Sequence, residues 1–146
     1  MSRQRNFKTH IIMSTPRGIR NNNPLNIRIS TNRWKGKLSP SKDPAFEQFQ
    51  NMTMGIRAAM VCIRTYIKRY RLTTPQAIIA RWAPEPDHND VAAYVRNACQ
   101  KANLSPAEPL SFAEKNKICR LLWGMAYVEN GQEVSFGLFE NAYEII

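Results

Sequence analysis

Residues that would build a disulfide framework or a metal site are scarce in this sequence. Its three cysteines, Cys62, Cys99 and Cys119, fall in apolar helical patterns, and none lies close to another. Such positions argue against both a disulfide framework and a zinc site, and they favour small core residues. His10 and His88 form no ligand spacing with a carboxylate or a cysteine, so we expect neither a metal nor another cofactor.

Long apolar runs and acidic residues are also in short supply. No run approaches the roughly 20 apolar residues of a membrane-spanning helix, and the patch from Ile11 to Met13 is too short for a secretory signal. We therefore expect a protein made in the cytoplasm, with no signal peptide and no membrane span. Its 11 acidic residues face 21 lysines and arginines, a net charge of +10. That excess favours a polyanionic partner such as nucleic acid, anionic lipid or the anionic polymers of a bacterial envelope.

The chain is long enough for one compact domain. With 146 residues, of which 43% are hydrophobic, it can enclose a real core. Residues 1–17 carry basic side chains and no acid, which predicts a flexible basic arm. Residues 18–146 are then expected to form a single globular domain.

Helical patterns predominate in that domain, so we predict a mainly α fold with a small β-wing near its N-terminus. Thr74 is the predicted N-cap of a short helix, and Asn89 or Asp90 caps the next one. Ser111 and Glu114 form a predicted capping box that opens the last long helix. The four predicted helices span about residues 54–71, 75–82, 91–102 and 111–129.

The β-wing is predicted between residues 24 and 49. The alternation in "LNIRI", the polar break "STN" and the run "RWKGKL" predict a short hairpin, and "FEQF" could add a third strand. The stretch "RNNNPLN" leads into it. Its amides can bond the local backbone as a well-capped turn, or they can bond the hydroxyl and acetamido groups of a sugar.

Glu129 stands out because it lies on the apolar stripe of the last predicted helix. Ile118, Leu122, Met125 and Glu129 are separated by 4, 3 and 4 residues, so all four project from one face. Burial and the negative end of the helix dipole both raise the pKa of a carboxyl group there. A carboxylic acid protonated near neutral pH is what general-acid cleavage of a glycosidic bond requires. The alternative is that Glu129 turns outward to water at the helix end.

The stretches "NNNPLNIR", "DPAFEQF", "GIRAA" and "IIARWAPEPDHNDVAAYV" together resemble small phage and prophage proteins of virion-associated or lysozyme-like type. The asparagine loop also looks like the loop and wing of bacterial cell-wall glucosaminidases and lytic transglycosylases of the lysozyme superfamily. This resemblance covers about residues 17–131. It implies a lysozyme-like fold and peptidoglycan glycan strands as the partner. In that superfamily the catalytic glutamate ends a helix before a small or polar residue, and "YVENG" is similar.

The order of these parts departs from the resembled enzymes, in which the glutamate helix precedes the asparagine loop. Here the first 42 residues contain no Asp or Glu, so no catalytic acid lies upstream. Either the domain is circularly permuted, or it keeps the binding part and has lost catalysis. We favour permutation, because it accounts for Glu129 and its capped helix with one assumption and because compact domains tolerate it.

The resemblance implies a role for each candidate residue. Glu129 would protonate the glycosidic oxygen, and Asn23 and Asn26 would hold the N-acetyl sugar or its leaving group. The candidates for stacking on sugar faces or orienting the acid are aromatic: Trp34, Trp82 and Tyr94. Packing in the core is the commoner use of such side chains.

A hydrolase would use a second carboxylate, and the candidates in or near the predicted loops and wing are Asp43, Glu47, Asp87 and Asp90. A lytic transglycosylase needs none, because the resembled enzymes use the C6 hydroxyl of the substrate and form an anhydro product. We favour that chemistry.

Two non-enzymatic alternatives stay open. The first is a virion or envelope-binding protein that uses the same groove. The second is a helical nucleic-acid-binding protein, which the net charge and the basic residues of 54–71 suggest but which no recognition motif supports. In the favoured case the protein acts at the bacterial cell wall or in a virion, and its delivery depends on a holin, a virion or a secretion machine.

Overall fold

The computed structural model describes residues 15–87 and 89–146, and its mainly α architecture with a small sheet confirms the predicted fold class. The helices are α1 (Arg17–Arg20), α2 (Met52–Lys68), α3 (Pro75–Trp82), α4 (Val91–Ala102), α5 (Lys115–Asn130) and α6 (Phe136–Glu144), and the strands are β1 (Lys37–Leu38) and β2 (Gln48–Phe49). Most of the predicted basic arm lies outside the described residues, as do His10 and His88. Over the described ranges, none of the helices is long and apolar enough to cross a membrane.

The starts of α3 and α4 follow the capping side chains that the sequence predicts, whereas α5 begins at Lys115, and its N-cap, Glu114, lies three residues after the predicted Ser111 and makes no side-chain cap bond. Thr74 and Asp90 are N-caps, and each side-chain oxygen accepts from the backbone N–H three residues further on, at 3.2 and 3.0 Å. The capping box of α5 is half formed. Glu114 Oε1 accepts from the N–H of Ser111 at 2.8 Å, whereas the Ser111 hydroxyl accepts from the N–H of Ala113 instead of that of Glu114.

Helix α5 is the centre of the core. Its Leu121, Leu122 and Met125 are fully buried, and each such side chain contributes about 1.5–3 kcal/mol of burial free energy. It packs against α4 on one side and α6 on another, and α6 also covers α2. Helix α5 ends one residue beyond the predicted boundary, where Gly131 takes the left-handed conformation of a C-cap with φ +70°. This packing fixes the position of the last turn of α5, which carries Glu129.

The wing pairs its strands differently from the prediction. The predicted hairpin between residues 24 and 38 does not form. Instead β1 and β2 pair antiparallel, and an isolated bridge joins Arg28 to Phe46. The "FEQF" stretch thus pairs with two segments, with Arg28 through Phe46 and with β1 through β2. Asn26 explains the difference, because its φ of +56° breaks the extended backbone that "LNIRI" was expected to form.

Two further boundaries differ from the sequence-based expectation. Arg17, expected in the flexible arm, begins α1 and forms an ion pair with Asp43. Tyr70, expected on the buried stripe of the first long helix, lies beyond the end of α2 and is 45% exposed. The last helix, α6, was not predicted, although Phe139 on its inner face is fully buried.

Candidate functional site

A groove of about 520 Å³ lies between the wing and the helical part of the molecule. The wing contributes Asn26, Arg28 and Trp34 to its lining, and the helices contribute Tyr66, Trp82 and Glu129. A second depression of about 490 Å³ shares Ser30, Asn32 and Trp34 with the groove. The concave surface therefore continues across the wing, as an extended ligand would require.

Glu129 receives hydrogen bonds from two separate parts of the fold. Nδ2 of Asn26, in the asparagine loop, donates to Oε1 at 2.9 Å, and the hydroxyl of Tyr94, on α4, donates to Oε2 at 2.8 Å. The structure thus brings three of the sequence-predicted site residues together at one half-buried carboxyl group.

The environment of Glu129 raises the pKa of its carboxyl group. Burial is the largest cause, because it penalises the charged form. The hydrogen bonds from Asn26 and Tyr94, the indole N–H of Trp82 and the positive charge of Arg28 act in the opposite direction. Burial prevails, so the protonated acid persists to a higher pH than an exposed glutamate allows. The same burial raises the pKa of Tyr94 well above its ordinary value, which keeps that hydroxyl a donor.

Asn130 and Gly18 hold the asparagine loop against the end of α5. The Nδ2 of Asn130 donates to the carbonyl oxygens of Pro24 and Ala126, both at 2.8 Å. A Cβ atom on Gly18 would lie 2.6 Å from Oδ1 of Asn130 and 3.0 Å from Oδ1 of Asn26. Only glycine therefore allows this close approach. Sequence reasoning did not assign either residue, although Asn130 directly follows Glu129.

The rest of the asparagine run stabilises the loop itself. Asn23 is 0% exposed, and its Nδ2 donates to the carbonyl oxygens of Ile27 and Glu47 while its Oδ1 accepts from the N–H of Ile27. Both amide hydrogens are used internally, which corrects the expectation that Asn23 contacts sugar. Asn22 and Asn26 have φ of +53° and +56°, a left-handed conformation that asparagine tolerates better than most residues.

Three of the four candidate second carboxylates, Asp43, Glu47 and Asp90, do not line the groove. Asp43 is buried, and the guanidinium of Arg17, which donates to it twice at 2.7 Å, holds its pKa well below the usual range. Glu47 is 0% exposed and pairs with Lys37 at 2.9 Å. Both predictions are corrected, because a buried carboxylate needs such pairing and these two pairs brace the wing. Asp87, which is exposed, lines the groove.

The three aromatic candidates divide between two positions. Trp34 and Trp82 line the groove, and Trp82 packs edge-on against Tyr66 with their ring centroids 6.3 Å apart. In the described part of the chain, Nε1 of Trp34 is buried without a hydrogen-bond partner. Tyr94 is buried behind the lining, so of its two predicted roles its position fits the orientation of Glu129.

Comparison with known proteins places this chain beside a phage protein. No protein-family profile matches the chain. Over 103 residues it is 39% identical to Protein P5 of Pseudoalteromonas phage PM2. The chain is similar to a phage protein. The aligned stretch makes up 68% of this chain and 64% of Protein P5, less than two thirds of that relative's length. The phage part of the predicted resemblance is confirmed to this extent, whereas the lysozyme-like part stays a prediction.

The arrangement as a whole can present a proton to a ligand in the groove. Glu129 supplies the titratable group, and Arg28 and Trp82 flank it on the lining. Over residues 15–87 and 89–146, no three His, Cys, Asp or Glu side chains cluster as metal ligands would. The chemistry that these groups support by themselves is acid catalysis or the recognition of a polar polymer.

Proposed function

We propose that this chain is a phage-type protein that binds a peptidoglycan glycan strand in the groove and cleaves it with Glu129 as the general acid. The single observation that carries the proposal is the position of Glu129. It is half-buried in the lining of an elongated groove, its pKa is raised by burial, and Asn26 and Tyr94 fix its orientation. General acids of glycosidases have this combination of raised pKa and fixed geometry.

The proposed reaction begins with proton transfer from Glu129 to the glycosidic oxygen of the strand. The bond from the anomeric carbon to that oxygen then breaks, and the C6 hydroxyl of the same sugar attacks the anomeric carbon. Its proton returns to the Glu129 carboxylate, so that the acid is restored and a 1,6-anhydro end is formed. The internal pairing of Asp43 and Glu47 prevents these two carboxylates from activating water, so hydrolysis in this groove would depend on Asp87.

A circularly permuted lysozyme-like domain is the structural form of this proposal. The contact between Asn26 and Glu129 joins the asparagine loop to the glutamate helix although 103 residues separate them. A permuted chain would need such a contact, because its catalytic helix comes after the wing instead of before it.

The second candidate function is a phage protein that binds the same polymer without cleaving it. The two hydrogen bonds that Glu129 accepts favour this candidate, because both stabilise the carboxylate and oppose the protonated state. The similarity to Protein P5 is compatible with both candidates, since its name states no activity.

Product analysis on purified bacterial sacculi separates the candidates. We expect soluble muropeptides with 1,6-anhydro ends, identified by mass spectrometry after incubation with the protein. Muropeptides with reducing ends instead would indicate hydrolysis, and Asp87 would then be the candidate for the second carboxylate. Sedimentation of the protein with intact sacculi, without soluble products, would establish the second candidate. If the protein neither releases soluble products nor sediments with the sacculi, both candidate functions are rejected.

Tyr94→Phe is expected to move the pH profile of cleavage to higher pH. Activity needs protonated Glu129, so the rate falls as pH rises through its pKa. The Tyr94 hydroxyl donates to the carboxylate and lowers that pKa. Its removal should raise the pKa and displace the alkaline limb upward by about one to two pH units, because a hydrogen bond to a charged group contributes about 1.5–3 kcal/mol.

The control for this experiment is Tyr127→Phe. Tyr127 lies on α5 like Glu129, but its ring contacts Lys101 and it lines a different depression, so its profile should coincide with that of the parent. A carboxyl titration of Glu129 by NMR would give the same pKa without relying on activity. An unchanged profile in a folded Tyr94→Phe variant would remove the acid role from Glu129.

A further inference from the structure

Basic side chains without acidic partners gather at one end of the groove. No Asp or Glu occurs between residues 48 and 84. The basic ridge consists of three arginines around Tyr70, in the turn that follows α2 and on α3: Arg69, Arg71 and Arg81. Over residues 15–87 and 89–146, none of these three forms a salt bridge, whereas Lys115 and Lys117 on α5 are both paired with glutamates. The net charge of the protein is thus distributed unevenly.

Aromatic rings alternate with the cations of this ridge. The guanidinium of Arg81 lies 4.3 Å from the ring centroid of Tyr70 and 5.2 Å from that of Tyr66, and the guanidinium of Arg69 lies 5.9 Å from the Tyr70 ring. Such cation–π contacts hold the planar groups in stacked positions. The ridge therefore presents ordered flat surfaces together with its positive charge.

The backbone turn after α2 exposes Tyr70 instead of burying it. Arg71 takes φ +59°, and the N–H of Leu72 donates to the carbonyl oxygen of Tyr66 at 3.0 Å, which closes the turn. Tyr70 remains 45% exposed between two arginines. Solvation of the basic side chains does not by itself require an exposed aromatic ring between them.

We propose that the basic ridge binds single-stranded nucleic acid, with phosphates on its cations and a base stacked on Tyr70. Positive charge that follows the backbone and aromatic rings that stack on unpaired bases are the two elements of single-strand binding. A duplex offers the cations the same phosphates, but its bases are stacked on one another, so Tyr70 has no partner there. Arg81 also lines the groove of Glu129, but Tyr70 does not, and the proposal does not depend on glycan cleavage.

The test is fluorescence anisotropy of a labelled oligo(dT) of about 20 nucleotides titrated with the full chain at several salt concentrations. Tyr70→Ala should weaken binding by about 5- to 150-fold, as loss of one stacked base does. Its matched control is Tyr127→Ala, which removes a tyrosine that is 37% exposed and also contacts a cation; the affinity should stay within about twofold of the parent.

The charge contribution is measured by a second pair of variants. Arg69→Gln combined with Arg71→Gln should reduce the slope of log affinity against log salt by about 1.4, because each phosphate contact to a single strand contributes about 0.7. The double variant Lys115→Gln and Lys117→Gln lowers the net charge equally but lies outside the ridge, and should leave the slope unchanged. Glu129→Gln should bind oligo(dT) like the parent, which separates this site from the proposed catalytic one.

Three results would each overturn the proposal. The first is that Tyr70→Ala binds oligo(dT) as tightly as the parent, and the second is that the two double variants have equal salt slopes. The third is that inorganic polyphosphate or duplex DNA displaces labelled oligo(dT) as well as unlabelled oligo(dT) does, at equal phosphate concentration. Each would mean that charge alone attracts the polymer.

Discussion

Glu129→Gln is expected to lower the rate of release of soluble muropeptides from sacculi by about 100- to 10,000-fold, the contribution of a positioned general acid. The substitution keeps the shape of the side chain and removes the transferable proton. The introduced amide can still be accommodated, because Oδ1 of Asn26 is buried without a partner in the described structure and a rotated Asn26 amide would accept from it. The loss of rate would therefore report chemistry and not unfolding.

The same variant should be more stable than the parent at neutral pH. Glu129 has a raised pKa in the folded protein, so the folded state binds the proton more tightly than the unfolded state does. The free energy of unfolding of the parent should then fall as pH rises from the ordinary glutamate pKa through the raised one. Glu129→Gln removes this pH dependence. Denaturant unfolding at pH 4 and pH 7 measures it, and undiminished wall cleavage by the folded variant would refute the assigned role.

Gly55→Ala is expected to destabilise the protein by about 3 kcal/mol or more. Gly55 lies in α2, and a Cβ atom there would overlap the carbonyl oxygen of Asn22 in the asparagine loop. That oxygen belongs to the backbone, and the loop is held by Asn22 Nδ2, which donates to the carbonyl of Phe49 at 3.1 Å. The loop cannot yield without moving Asn26 away from Glu129, so urea unfolding should shift to much lower concentration.

Gly137→Ala provides the matched control for this substitution. Gly137 also lies in a helix, but no atom comes within 4 Å of a Cβ built there. Alanine is a better helix former than glycine, so this variant should be as stable as the parent or up to about 1 kcal/mol more stable. A Gly55→Ala variant that unfolds at the same urea concentration as Gly137→Ala would mean that the loop does not contact α2 this closely in solution.

The sequence predicts four of the six described helices, α2 to α5, because their signals are local. Thr74 and Asp90 act through the backbone of the next few residues, and the apolar stripe of α5 directs Glu129 inward by helical periodicity alone. These features do not depend on what packs against the helix. The predicted boundaries accordingly agree with the structure within a few residues.

The wing and the partners of Glu129 depend on contacts that local patterns do not contain. A single left-handed residue, Asn26, breaks what alternation predicts as a strand. Glu47 and Asp43 look like free loop carboxylates until their distant cations are known. The prediction that Asn26 and Glu129 belong to one site rested on the resemblance to known enzymes, because no periodicity links residues so far apart.

The hydrogen bond between Asn26 and Glu129 spans 103 residues of sequence, and the one between Asn130 and Pro24 spans 106. A nascent chain synthesised at about 5–20 residues per second has exposed the loop and wing several seconds before α5 leaves the ribosome. The wing alone holds neither the acid nor the α4 tyrosine. Glu129 gains its donors and its burial only when α5 has folded against the asparagine loop and α4, so a translation product that ends before Glu129 lacks the site.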